Sequence, residues 1–495
     1  MIRRPPLTPL RQLLPLLAAA LVPACSLAPP YQAPAAPASS SFKEAAEPVA
    51  GWQPAQPADA APRGHWWAPF ADPKLDELQA QLAAASPDLQ AAVARYEQAR
   101  ALARQSQSGL YPSLSANAAA TRAGASANAP GADGVSGTGN DFLASLNLSW
   151  EIDVFGRLRN ARNAADRRLE ASAGDLAALQ LSLQAELASQ YFQLRGTDAD
   201  IGLLEDSLKA YQRALDLTRN RYEGGIAAAV DVDQAETTLN NTRAQLAAAR
   251  LQRAQLEHGI AVLLGFAPSA FSLPPAEFVG EPPVVVTSLP STLLQRRPDI
   301  ASAERQVAAA NAEIGVAKAA WFPVFGFSAG GGYEATRTSD WFDAPSRYWS
   351  IGPSVTAPIL DGGALSAIRR QSRAAFDEAV ANYRKSVLTA YQEVEDNLAA
   401  LRHLADEVAS DETAAAAAQR SLFHANKRYA SGVASYLEVT TTQTAALSAQ
   451  RAALDARVRR VTAAVQLVRA LGGGWSRDQL EAADGAVSAA QAAAP

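Results

Sequence analysis

Residues 187–225 read LASQYFQLRGTDADIGLLEDSLKAYQRALDLTRNRYEGG, and apolar side chains recur in this stretch every seven residues. They are Leu187, Leu194, Ile201, Leu208, Leu215 and Tyr222. This spacing is typical of helices that pack in coiled coils. A continuous helix over 157–221 would be about 95 Å long at about 1.5 Å per residue, which is longer than a compact globular domain needs. Because the pattern stops at Gly224-Gly225 and resumes near Val230, it predicts a long helical hairpin.

The chain contains this hairpin twice. At an offset of 207 residues the aligned pairs are Arg221-Tyr222 with Arg428-Tyr429 and Gly225 with Gly432. The heptad positions of the second copy are Val394, Leu401, Val408, Ala415, Leu422 and Tyr429, and its return helix is expected near Leu437. A repeat of this length predicts that the two halves of the chain fold alike.

The repeat divides the chain into segments. The predicted segments are a signal peptide over 1–24, a lipidated tether over 25–70, a first repeat over 71–270, a Pro-rich linker over 271–292, a second repeat over 293–475 and a disordered, Ala-rich tail over 476–495. Each repeat begins with a helical stretch, which in the first half covers 75–110 and breaks at Ser86-Pro87. Two short strands follow, separated by glycine-rich loops over 122–140 and about 329–347.

The second strand of each half alternates apolar and polar side chains. In the first half Leu146, Leu148 and Trp150 oppose Ser145, Asn147, Ser149 and Glu151. In the second half Trp349, Ile351, Val355, Ala357 and Ile359 oppose Ser350, Ser354 and Thr356. Such strands of about ten residues suit a membrane-spanning β-barrel. Soluble hairpins with buried tryptophans are the alternative interpretation.

Four strands cannot close a barrel, and lipid does not tolerate an open sheet edge. Several copies of the chain must therefore share one barrel if the strands cross a membrane. Three copies would supply twelve strands, although this arithmetic alone does not exclude two or four copies. The predicted fold is mainly α-helical, with long coiled-coil hairpins and a shared transmembrane β-barrel.

The composition of the chain excludes several other classes of protein. The chain has 495 residues, 48% of them hydrophobic, a net charge of −5, one cysteine and four histidines. It lacks the long apolar stretches of a polytopic permease and the basic blocks of a nucleic-acid binder. A single cysteine cannot form an intramolecular disulfide. One cysteine and four histidines also supply few ligands for a metal site.

The amino-terminal segment predicts export. Arg3 and Arg4 precede an apolar run that ends at Ala24-Cys25, as in a bacterial lipoprotein signal. Cleavage there would leave Cys25 as an acylated anchor in the outer-membrane lipid, and Ser26 after it agrees with outer-membrane sorting. The alternative is an ordinary signal peptide with an incidental cysteine.

With these motifs in place, the chain resembles the outer membrane efflux protein family, which is TolC-like, and in particular its NodT/OprM lipoprotein branch. The matching motifs are Cys25-x-x-x-Pro29-Pro30-Tyr31, Trp67-x-x-Phe70-x-Asp72, Arg297-Pro298-Asp299-Ile300, both Arg-Tyr-x-x-Gly tips and Leu471-Gly472-Gly473-Gly474-Trp475. The resemblance implies a homotrimer with a twelve-stranded barrel in the outer membrane of a Gram-negative bacterium. It also implies a periplasmic α-barrel that docks on an adaptor protein and an inner-membrane pump, without a cofactor.

The hairpin tips are the expected gate. Asp231 and Asp233 begin one return helix and Glu438 begins the other, so several copies would form an acidic ring. The same carboxylates also suit helix capping. The resemblance implies a closed state held through Tyr429 and Asp231, with Leu437 at the constriction. It places a further gate acid at Thr441, where this chain departs from the family pattern.

The tip motifs are also the expected docking site for the adaptor. The resemblance implies that Arg221, Tyr222, Gly225, Arg428 and Gly432 contact the adaptor. The alternative is a purely structural role, in which the glycines end the helices and the arginines are the basic residues of their last turns.

The predicted function is a passive exit duct for small amphiphilic compounds. A protein-secretion duct and a periplasmic scaffold lipoprotein without a pore are the alternatives. An enzyme is not expected, because the G-x-S-x-G match around Ser328 lacks the helix that a nucleophile elbow requires.

Overall fold

The computed structural model describes residues 26–35, 42–44, 66–126, 137–278, 282 and 297–473. Cys25, the predicted signal peptide and the predicted tail over 476–495 lie outside these residues. The chain divides into two compact units. One comprises Met1–Ala35, Tyr96–Ser172 and Ala303–Tyr383, and the other comprises Ala36–Arg95, Ala173–Ser302 and Arg384–Pro495.

The helices occur in the same order in both halves. They are α1 Pro73–Ala85, α2 Pro87–Ser108, α3 Arg157–Glu223, α4 Ala229–Leu263, α5 Pro298–Ala319, α6 Ala364–Ala430 and α7 Tyr436–Ala470. Helices α3 and α6 have 67 residues each, and α4 and α7 have 35 each. The predicted hairpins and the predicted break at Ser86-Pro87 are confirmed. None of the helices in the described residues has a long enough apolar stretch to span a membrane.

Four antiparallel strands form one sheet in the order β1-β2-β3-β4. They are β1 Ser113–Ala125, β2 Gly137–Ile152, β3 Val324–Ala335 and β4 Arg347–Thr356. Residues that lie directly opposite in a ladder point to the same face, so the register places Leu148, Ala329 and Ile351 together on one face. On that face Trp349 is 75% exposed and Trp150 is 37% exposed, which does not fit soluble hairpins with buried tryptophans.

The strand boundaries correct three predictions. The predicted loop over 329–347 is wrong in its first part, because β3 continues through the glycine run to Ala335. A Cβ atom on Gly332 would lie 2.0 Å from the carbonyl oxygen of Ala144 on β2, so this glycine permits a close strand approach. The other predicted loop, over 122–140, is narrower than expected, and β4 ends at Thr356, before Ala357 and Ile359.

The described residues of the predicted tether, 26–35, 42–44 and 66–70, include packed side chains, which an extended, unpacked segment does not predict. Within the second unit, Phe42 and Trp66 are buried in hydrophobic clusters. Within the first unit, the Ser26 hydroxyl donates to Asn160 Oδ1 at 3.0 Å. The linker likewise begins with a buried residue, Leu273. Large aromatic side chains bury enough apolar area to hold such segments in spite of their Pro- and Ala-rich composition.

The β2–β3 contact yields a testable expectation. Gly332→Ala should disturb the pairing of these strands, because its methyl group would overlap the Ala144 carbonyl. We expect a several-fold lower yield of folded protein in outer-membrane fractions, measured by the mobility difference between heated and unheated samples on gels. Gly352→Ala on β4 is the matched control, since no atom lies within 4 Å of the Cβ position there. Equal yields from the two variants would contradict the assignment.

Candidate functional site

Both hairpin tips end in the same backbone motif. Gly225 has a φ of 73°, and the N–H of the next residue donates to the carbonyl oxygen of Arg221 at 2.8 Å. At the second tip Gly432 has a φ of 76°, and the next N–H donates to the Arg428 carbonyl at 3.0 Å. This left-handed closure satisfies carbonyl groups at a helix end and favours glycine. The two glycines therefore fix where each long helix turns back.

The Arg221 side chain bridges the two hairpins. Its Nη1 donates to the Tyr429 carbonyl oxygen at 2.7 Å, and its Nη2 donates to the Ala430 carbonyl oxygen at 2.9 Å. The guanidinium carbon also lies 4.7 Å from the centroid of the Tyr429 ring. The last carbonyls of a helix lack intrahelical partners and favour a cation. Arg221 of α3 thus caps α6, a role that the sequence analysis missed.

Two tyrosines next to the Arg221 bridge belong to one buried hydrophobic cluster. Tyr429 is 7% exposed and Tyr436 is 1% exposed, and their rings meet edge to face at 5.3 Å. Burial, with the nearby Tyr429 and Asp231 adding to it, raises the pKa of Tyr436 to about 12. The Tyr429 hydroxyl lies 3.2 Å from Thr218 Oγ1. The aromatic pair holds the end of α6 against the start of α7, and the hydrogen bond holds it against α3.

The equivalent acids Asp231 and Glu438 have different partners. One carboxylate oxygen of Asp231 accepts a hydrogen bond from the Ala228 N–H at 3.3 Å, which caps the start of α4. Glu438 instead forms an ion pair with Arg428 at 3.3 Å. Asp233 is exposed just after the first turn of α4. Within the described ranges, no group of three or more potential metal ligands is present at the tips or elsewhere.

Several tip residues expose apolar surface. Ile226 is 77% exposed, Val433 is 72% exposed, and Tyr222 is 50% exposed although its equivalent Tyr429 is buried. Leu437 is also exposed. The first two were missed by the sequence analysis, although an apolar residue directly after each tip glycine was a usable signal. Such a residue ordinarily packs back on its own helix, so the exposure of these side chains leaves apolar surface at both tips.

The last expected gate position has a local role. Thr441 is exposed, and its hydroxyl donates to the Leu437 carbonyl oxygen at 2.8 Å. The side chain therefore bonds within α7 and places no charge at the tip.

Comparison with known proteins identifies the family. The model of the family described as outer membrane efflux protein matches residues 78–266 and 289–473. The antibiotic efflux pump outer membrane protein ArpC of Pseudomonas putida is 34% identical over 454 residues, which are 91% of this chain and 93% of the relative. The pyoverdine export outer membrane protein OpmQ of Pseudomonas aeruginosa is 34% identical over 85% of this chain and 90% of the relative.

Solved structures share the fold. The outer-membrane channel OprN superimposes with a TM-score of 0.81 at 30% identity, covering 91% of this chain and all of the other. The Campylobacter jejuni CmeC outer membrane channel gives a TM-score of 0.82 at 25% identity, covering 92% and 96%. These similarities confirm the predicted fold class and outer-membrane location. The chain belongs to the outer membrane efflux protein family and is an outer-membrane channel for efflux.

Proposed function

We propose that three copies of this chain form the exit duct of a tripartite efflux assembly, together with a periplasmic adaptor and an inner-membrane pump. The observation that carries the proposal is the open sheet, in which β1 and β4 each pair on one side only among the described strands. Unpaired backbone groups cost several kcal/mol each in lipid. Pairing β4 of one copy with β1 of the next removes these edges, and three copies give a closed barrel of twelve strands.

The tips are the proposed docking surface for the adaptor. Exposed Ile226 and Val433 occupy equivalent positions on the two hairpins, so each copy offers two similar apolar points. Basic side chains at the same helix ends add charge, although Arg221 is bound to the end of α6. A helical adaptor segment with an apolar face and acidic flanks fits such a surface.

The same tips form the proposed gate. Opening the duct requires the first hairpin to move relative to the second, and Arg221 ties them together through Tyr429 and Ala430. In a trimer, Glu438 and the exposed Asp233 and Leu437 would surround the narrowest point. Carboxylates there favour cations.

The relatives support the proposed cargo. Relatives are named for the efflux of antibiotics, toluene and pyoverdine, which favours small compounds over the protein-secretion alternative. Catalysis is not part of the proposal, since Ser328 lies inside β3 with its hydroxyl donating to the Gly352 carbonyl. Acylation of Cys25 would add a membrane anchor.

The oligomeric channel is tested first. Full-length protein purified from outer membranes should run as a heat-sensitive trimer and produce single-channel currents in planar bilayers. A water-soluble monomer without conductance, even when its tip residues are replaced, would support the scaffold alternative instead.

Removing the bridge should open the gate. In Arg221→Ala the Tyr429 and Ala430 carbonyls lose their donor, so single-channel conductance should rise several-fold. Arg219→Ala is the matched control two residues away, because Arg219 pairs with Glu236 within the first hairpin only. If both variants conduct like the wild type, the bridge does not hold the gate.

Charge at the tip should set ion selectivity. Glu438→Gln leaves Arg428 without its carboxylate, so the preference for cations over anions should fall. Thr441→Glu adds an acid one turn further along α7 and should raise that preference. Reversal potentials across a salt gradient measure both effects. If both variants have the ion selectivity of the wild type, Glu438 does not line the constriction.

A further inference from the structure

A groove of about 650 Å³ crosses the sheet in the first unit. Most of its lining residues belong to two rows, one containing Leu146 and Trp349 and the other containing Ala118, Ala144, Tyr333 and Arg347. The strand register places both rows on the apolar face, together with Leu148 and Trp150. The row between them, which belongs to the opposite face, also lines the groove and consists of Asn117, Ser145, Gly332 and Tyr348. Small residues on β1 and β2 leave the space, while Trp349 and Tyr333 form its walls.

Arg347 marks one end of this groove at a defined depth. The row of Ile152 and Phe325 lies eight residues along β2 from the row of Ala144 and Arg347, or about 27 Å at about 3.4 Å per residue. Allowing for strand tilt, this distance approaches the lipid-facing band of about 25 Å in outer-membrane barrels. One further apolar row, with Ala120 and Phe142, lies beyond it, so Arg347 is near the margin of the apolar face, where an arginine costs little.

The margin with Arg347 is the outer one. Ala125 of β1, Gly137 of β2, Ala335 of β3 and Arg347 of β4 lie at the same end of the sheet, and α3 follows β2 at the opposite end. Because the helical part is periplasmic, the end with these residues faces the cell exterior. Arg347 begins β4 at that end.

The charge of Arg347 is uncompensated within the described residues. Its side chain is exposed, and no carboxylate in the described ranges forms an ion pair with it. Neighbouring Glu334 is on the opposite face, because the register pairs it with Leu143. An arginine at the headgroup level beside an apolar groove suits a phosphate attached to an acyl chain.

We propose that this groove binds a phosphorylated glycolipid of the outer leaflet. One acyl chain enters at the level of Ala118 and Ala144 and continues past Leu146 and Trp349 toward the middle of the apolar face, and the guanidinium of Arg347 binds a headgroup phosphate. The proposal depends on the sheet lying in the outer membrane and is independent of the gate and the adaptor.

The first test uses charge. Full-length protein in mild detergent is titrated with diphosphorylated lipid A, and bound lipid is counted by native mass spectrometry. Arg347→Gln should weaken binding about tenfold or more, since a hydrogen bond between charged groups is lost. Arg122→Gln is the matched control, because Arg122 is exposed on the same face but does not line the groove. It should remain within about twofold of the wild type.

The second test uses shape. Ala118→Phe fills the groove and should also weaken binding, whereas Ala120→Phe adds the same ring to the same face of β1 outside it. Single-channel currents check that each variant is folded. A dephosphorylated lipid should bind the wild type and Arg347→Gln equally. Equal losses for Arg122→Gln and Arg347→Gln, or no preference of the wild type for the phosphorylated lipid, would overturn the proposal.

Discussion

The pairing of backbone groups at the sheet edges is the constraint on which the rest of the architecture depends. Each chain supplies four strands, and lipid offers no hydrogen-bond partner to the free edges of β1 and β4. A single copy is therefore incomplete in a membrane, whatever its helices do. The proposed sharing of one barrel among copies would satisfy these backbone groups and enclose a lumen lined by the polar face of the sheet.

The duplicated halves diverge most clearly at the tips. Arg221 and Arg428 occupy equivalent positions, but Arg221 caps the other hairpin and Arg428 pairs with Glu438 at the start of its own return helix. Tyr429 is buried while its equivalent Tyr222 is half exposed. Identical local motifs thus acquire different roles, because only one arginine of the pair reaches across between hairpins.

Sequence periodicity predicted the parts of the fold that local physics determines. Heptads from Leu187 and Val394 fixed the long helices, and Gly225 and Gly432 fixed their ends. The prediction was wrong where a tertiary contact overrides local composition. Gly332 reads as a loop residue, yet it lies in β3 because Ala144 approaches it closely.

At the candidate site, too, sequence patterns did not predict contacts between residues that are far apart along the chain. The Arg-Tyr-x-x-Gly motif located the tips, but no pattern along the chain indicates that Arg221 reaches Tyr429, since the two residues are 208 positions apart. The packing of Phe42 and Trp66 was hidden in the same way by the Pro- and Ala-rich residues around them. Long-range partners of single side chains were therefore beyond sequence reasoning.

The size of the Arg221 bridge suits a gate that a partner can open. Each hydrogen bond from a charged donor contributes about 1.5–3 kcal/mol, and partial exposure of Arg221 places its two bonds at the low end. One bridge is then worth about 3 kcal/mol, and three bridges exceed the roughly 5.5 kcal/mol that moves a two-state equilibrium from 1:99 to 99:1. The proposed closed state is thus stable without a partner. Because Ile226 and Val433 are already exposed while the bridges are intact, an adaptor breaks the bridges only to the extent that it binds the open tips more tightly than the closed tips.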